Sequence, residues 1–232
     1  MAKVKIHGDI ISNDNKWIYD WLDYDSTCPR DVEKAINEAN GEKLEVEINS
    51  GGGEIFAGSE IYGLLRNYGN VEIIITGLAA SAASVIAMAG HSKMVPTAMM
   101  MIHNVSTGAR GDYNVMKHTA QTLETANEAI ASAYISKTGM SMQEALELMD
   151  VETWFSAQQA KEKGLVDEVM FENVTHNNTM VNCLASIPPR LIDTIRNKLK
   201  QEQKPINDNG PVDNEKALLQ AQLNLMKLKE IK

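Results

Sequence analysis

Ser81 and Ser84 lie in TGLAASAASVIAMAG, residues 76–90, a stretch otherwise almost free of large or charged side chains. A small-residue helix lets other backbone approach closely, and a serine at its first turn meets unpaired N–H groups and the positive end of the helix dipole. His103 ends MMMIHNV, a run too apolar to carry an imidazole without purpose or partner. Acyl transfer by a serine needs a base in hydrogen-bond reach, an acid that fixes the base's tautomer, and N–H donors for the oxyanion. Gly51-Gly52-Gly53 in INSGGGEI follows a strand pattern and precedes a helical one, so its N–H groups could cradle an anion, although the lysine of a phosphate loop is missing. Each signal alone has a plainer meaning. Ser81 could merely cap a helix, His103 could be a satisfied structural histidine, and the glycines could form a turn.

The elements that must position these residues alternate. Val4 and Ile6 predict a short strand ending at Gly8, followed by helices over 16–22 and from Pro29 to about Ala39. In KLEVEINS, Leu44, Val46 and Ile48 face one way and Glu45 and Glu47 the other, a strand that the glycines should break. Ile55 to Tyr68 has helical spacing. Residues 73–90 are uncharged for 18 positions but read as a buried strand, a turn at Gly77 and a buried helix from Ser81 to Ala89, not as a membrane span. A strand over Met99–His103 and a long helix over Asp112–Lys137 follow. Ser141 with Glu144 and then Ser156 cap two short helices, and a strand over Leu165–Met170 closes the domain. This order predicts an α/β domain with helices on the faces of the sheet. The long helix exceeds what a small domain needs and predicts oligomerisation.

The net charge of −9 argues against a nucleic-acid partner. It divides into −11 over residues 1–171 and +2 over 172–232, which marks a domain of 1–171 and a C-terminal extension of 172–232. NVTHNNTM and KPINDNGPVDN in the extension are linker-like. Two short apolar faces, through Leu191 to Leu199 and Leu218 to Leu228, predict surface helices or a docking tail. Two cysteines, Cys28 and Cys183, make no disulfide framework, and the N-terminus has no signal-peptide pattern, so a cytoplasmic protein is expected. With no HExxH and no paired Cys/His spacing, neither a metal nor another cofactor is expected.

Four segments, in the same order, resemble one family, the ClpP-like serine peptidases. INSGGGEIFAG is similar to its INSPGG-x-x-x-AG, GLAASAAS to its G-x-AAS-x-A, MMIHNVSTGARG to its MIH-x-x-x-x-G-x-x-G, and ETWFSAQQAKEKGLVD to its D-R-F-x-SA-x-EA-x-x-x-GLVD. The resemblance implies a ClpP/crotonase-like fold with a projecting helix, Ser81 as nucleophile and His103 as general base. It also implies an oxyanion hole from the N–H groups of Gly53 and Ala82. The third triad member falls at Glu152, where the family more often has Asp, with Asp150 as the alternative acid. The family implies rings, commonly heptameric, stacked through the helix of 112–137 around a chamber that admits protein or peptide substrates.

Two features depart from its housekeeping members, which an ATPase unfoldase feeds. Those members carry a segment ahead of the first strand that forms axial loops, whereas this strand begins almost at Met1, and a tail is added after residue 172. Both are more like the phage-encoded branch, whose members are prohead proteases that process capsid or scaffold proteins. In that branch the tail either locates the enzyme in the procapsid or is trimmed by it. The competing expectations are an acyl-CoA enzyme on the crotonase fold and a catalytically silent scaffold component.

Overall fold

The computed structural model describes residues 2–171. The expectations for the extension, including its two apolar faces and Cys183, lie outside the described residues.

Eight strands form one sheet: β1 (Ala2–Ile10), β2 (Ser26–Thr27), β3 (Leu44–Gly53), β4 (Val71–Ala80), β5 (His91–Met94), β6 (Met99–Ile102), β7 (Thr153–Ser156) and β8 (Glu168–Val169). The order β2-β1-β3-β4-β5-β8 is parallel throughout; β6 pairs parallel with the far end of β4, and β7 lies antiparallel to β6. Register turns the alternation seen in KLEVEINS into rows across the sheet. Val4, Val46 and Ile73 stand side by side, as do Ile6, Ile48 and Ile75, and all but Val4 are fully buried. The helices α2 (Pro29–Ala39), α3 (Ile55–Tyr68) and α4 (Ala82–Ala87) pack against these strands through residues such as Val32, Ile61, Leu65 and Ile86. The alternate positions carry ion pairs instead, with Lys3 Nζ 2.9 Å from Glu45 and 2.7 Å from Glu47, and Glu72 held by Lys43 at 3.0 Å and Lys93 at 3.2 Å. An apolar side and a charged side are what period-two alternation dictates.

Several predicted boundaries shift. β1 continues through Gly8 to Ile10 by way of an irregularity between His7 and Asp9. The glycine triplet does not break β3 but belongs to it, with Gly52 opposite Asp9 and Gly53 opposite Ile10. Nor is Gly77 a turn. A Cβ there would lie 2.4 Å from Asn49 Oδ1, which accepts the Leu78 N–H at 3.1 Å. The missing side chain thus makes room for Asn49 to substitute for a ladder bond, and the pairing resumes at Ser50–Ala79. β4 therefore reaches Ala80, and the chain reverses at one residue, Ser81. β2, β5 and β7 were not foreseen: two to four residues without the apolar run that marks β6 hold too little pattern to read. The strand expected over Leu165–Met170 shortens to Glu168–Val169, with Leu165 and Val166 buried ahead of it.

The remaining helices are α1 (Lys16–Leu22), α5 (Tyr113–Thr138), α6 (Met142–Asp150) and α7 (Ala157–Glu162). Asp112 caps α5 by accepting the N–H groups of Asn114 and Val115 at 3.0 Å, and Gly139 ends it at φ 76°. Only its last third is buried, at Ile130, Ala131, Ala133 and Tyr134, whereas Tyr113, Val115 and Met116 near its start are exposed.

Asp167 clips the closing strand to the body. Its carboxylate accepts the Ser92 N–H at 2.6 Å and the Ser92 hydroxyl at 3.2 Å, and pairs with Lys137 of α5. Partial burial alone would raise its pKa, but Lys137, the Ser92 N–H and His91 outweigh that and hold it below the ordinary carboxylate value. A depressed folded-state pKa stabilises the fold above the unfolded value, about 3.9, and that contribution is lost as pH falls through the folded one. Asp167→Asn is therefore expected to lower Tm at pH 7 and to lessen the fall of Tm below about pH 4, as thermal unfolding from pH 7 to pH 3 would measure. Parallel curves for the two proteins would contradict this.

Candidate active site

Parallel pairing of β4 with β6 brings together two residues 22 apart in sequence. The register Ala80–Met101 places the ends of both strands side by side, and the Ser81 N–H donates to the Met101 carbonyl at 3.0 Å. Ser81 then turns the chain into α4 with φ 53° and ψ −126°, a left-handed conformation that a residue with a Cβ rarely adopts. The hydroxyl is thereby lifted off the strand, and Ser81 Oγ lies 2.8 Å from Nε2 of His103, the first residue after β6. This is the strand-turn-helix geometry of an exposed nucleophile, reached without a GxSxG sequence.

A cleft of about 370 Å³ opens over this pair, lined by Gly53, Ser81 and His103 together with Phe56, Val85, Ile130 and Tyr134. Gly53 thus reaches the cleft through its backbone, while Ala82 directly follows the serine as the first residue of α4 and is fully buried. The first N–H groups of a helix have no partner within it, so the Ala82 N–H is available beside Ser81. Gly52 brings β3 against the elbow: a Cβ there would lie 2.6 Å from Ser81 Cβ and 3.0 Å from Ala82 N.

The acids are placed differently. Glu152, in the tight turn after α6 at φ 50°, is exposed, and its Oε1 accepts the Trp154 indole N–H at 3.1 Å. Asp150 Oδ1 accepts from Asn104 Nδ2 at 2.6 Å. Among the described residues no carboxylate is hydrogen-bonded to or ion-paired with His103. The structure therefore joins serine and imidazole and leaves both candidate acids on other partners.

Three residues near the site were not assigned a part from sequence. Asn104, next to His103, holds Asp150 while its own Oδ1 is buried without a partner. Ser84 donates its hydroxyl to the Ser81 carbonyl at 2.6 Å and also meets Tyr134 Oη at 2.8 Å. A serine three residues after Ser81 in an aliphatic helix was a visible signal. Its partner, 50 residues away, was not.

The family model described as Clp protease matches residues 35–173, well over half of the chain. The chain belongs to the Clp protease family. A protein named ATP-dependent Clp protease proteolytic subunit from Bacteroides fragilis is 32% identical over 136 residues, 57% of this chain and 66% of that protein. Proteolytic subunit 1 from Streptomyces avermitilis is 34% identical over 131 residues, 55% of this chain and 60% of that protein, and subunit 1 from Chlamydia abortus is 31% identical over 140 residues. The chain thus spans just under two thirds of the length of the first of these relatives. Membership accounts for the ClpP-like mixed sheet. Among the described residues, no helix is long and apolar enough to cross a membrane.

Proposed function

We propose that this chain is a serine endopeptidase of the Clp type, acting in the cytoplasm as an oligomeric ring. The observation that carries the reading is the 2.8 Å contact between Ser81 Oγ and His103 Nε2 at a left-handed elbow. In the proposed reaction Ser81 Oγ attacks the scissile carbonyl carbon while its proton passes to His103 Nε2. The Gly53 and Ala82 N–H groups hold the oxyanion. The intermediate collapses to an acyl-enzyme as the imidazolium gives its proton to the departing amine. Water then attacks the ester by the same route in reverse roles, releasing the acid and restoring Ser81.

Glu152 is the proposed third member, steadying the imidazolium through His103 Nδ1. Only its Oε1 is engaged, by the Trp154 indole N–H at an exposed site, which leaves the other carboxylate oxygen to accept a further hydrogen bond. Asp150 is tied to Asn104 by a shorter bond. Glu152→Ala is expected to lower kcat about tenfold or more with KM little changed, and Asp150→Ala to do much less. Steady-state kinetics on a short fluorogenic peptide decide between them, and the reverse order would give the role to Asp150.

The exposed first two thirds of α5 supply the surface through which subunits would stack, and native mass spectrometry of the full chain would give the ring size. The relatives named above are bacterial Clp proteolytic subunits, and their names couple them to ATP. They favour a peptidase fed by an ATPase unfoldase over the prohead-protease expectation of capsid or scaffold processing. A fluorophosphonate probe tests the central reading. It should label wild-type protein at Ser81 and leave Ser81→Ala unlabelled; folded, assembled protein that resists labelling would point instead to a crotonase-like acyl-CoA enzyme or a silent scaffold component.

A further inference from the structure

Ser84 and Tyr134 are polar side chains in the interior, 0% and 1% exposed. The single Ser84 hydroxyl proton is used on the Ser81 carbonyl, so in the 2.8 Å contact the phenol donates to Ser84 Oγ. Burial pushes the Tyr134 phenol up to about 12, which keeps it a donor across the physiological range. A one-directional chain results, from the Tyr134 O–H on α5 through Ser84 to the Ser81 carbonyl at the elbow.

That carbonyl is held three times over, because it also accepts the N–H groups of Ser84 at 2.9 Å and Val85 at 3.4 Å. A sparsely populated backbone conformation persists only where its surroundings over-determine it. Rotating Ser81 about ψ would break all three bonds at once, and the side-chain bond is the one anchored outside α4. The same long helix holds the histidine's segment: Asn127 Oδ1 accepts the N–H of Val105, two residues after His103, at 2.8 Å.

We propose that Ser84 and Tyr134 are positioning residues, a buried strut from α5 that fixes the Ser81 carbonyl and through it the aim of Ser81 Oγ at His103 Nε2. The proposal rests on Ser81 and His103 being nucleophile and base. Tyr134 also lines the cleft, so Tyr134→Phe removes the hydroxyl and leaves the cleft wall in place.

Ser84→Ala alone strands a buried phenol, whereas removing both hydroxyls leaves no unpaired group. The test is Ser84→Ala/Tyr134→Phe in the full chain, beside wild type and Ser81→Ala. It combines peptide kinetics, the rate of fluorophosphonate labelling, thermal unfolding and the ring ¹⁵N resonances of His103, assigned with His103→Gln. The double variant is expected to unfold within a few degrees of wild type and to keep KM within about twofold. Its kcat and labelling rate should fall about tenfold, and its His103 Nε2 resonance should move toward that of Ser81→Ala. A folded double variant with wild-type kcat and an unmoved resonance overturns the strut. If wild type itself is neither labelled nor active, the peptidase reading fails and the resonance alone decides the strut, movement supporting it and coincidence with wild type overturning it. Should the double variant not fold, Tyr134→Phe is judged by the same measurements, since it leaves Ser84 bonded to the carbonyl.

Discussion

Ser81→Ala is expected to cut turnover of a short peptide by about 10⁴-fold or more while the protein stays folded and assembled. In the proposed reaction the hydroxyl is the atom that bonds to the substrate, and nothing in the fold hangs from it, because among the described residues its one side-chain partner is His103 Nε2. Removing it also relieves nothing in the backbone, since alanine at φ 53° is as strained as serine. Stability should therefore hardly move while activity disappears. Peptide turnover and thermal unfolding on the same preparations check both halves. Equal turnover by the two proteins would remove Ser81 from the mechanism, and a collapse of Tm in the variant would make the loss uninformative about chemistry.

Gly52→Ala is expected to cost about 10²-fold in kcat/KM although Gly52 carries no functional group. The added Cβ would lie 2.6 Å from Ser81 Cβ and 2.7 Å from the Ala80 carbonyl oxygen, at φ 97°, so the elbow itself must shift. The neighbouring glycines give contrasting results for the same change. At Gly53 a Cβ meets the Ile10 carbonyl oxygen at 2.2 Å, so alanine there should break the β1–β3 pairing and lower Tm as well as activity. At Gly51 no atom of the described residues beyond its chain neighbours lies within 4 Å of the position, and alanine should be tolerated in both respects. Kinetics and melting of the three variants measure this gradient; a Gly52→Ala protein as active as Gly51→Ala would show that β3 does not set the elbow's position.

Much of this was legible in the chain itself. Alternation in KLEVEINS, the three- and four-residue spacing after Asp112, and caps at Ser141 and Ser156 act over a few neighbours, so they can be read locally. The identity of Ser81 and His103 as a possible pair was also legible, from one serine at a helix start and one imidazole in an apolar run. Short elements were not. β7 exists because Met99–Ile102 offers it an edge, and β5 because β4 and β8 flank it.

The glycines mark the divide most clearly. Sequence reads Gly77 as a turn and Gly51-Gly52-Gly53 as a strand break that is either a turn or an anion cradle, since local chemistry knows only what glycine permits. The actual use of Gly77, Gly53 and Gly52, as gaps for Asn49, Ile10 and the Ser81 elbow, depends on chain brought from tens of residues away. The same holds for Tyr134 against Ser84 and for the placement of Glu152 on Trp154 and not on His103. Residue type and local spacing determined which groups could react and which elements would carry them. Strand register and close approach, which are properties of two chain segments at once, decided which of those groups meet.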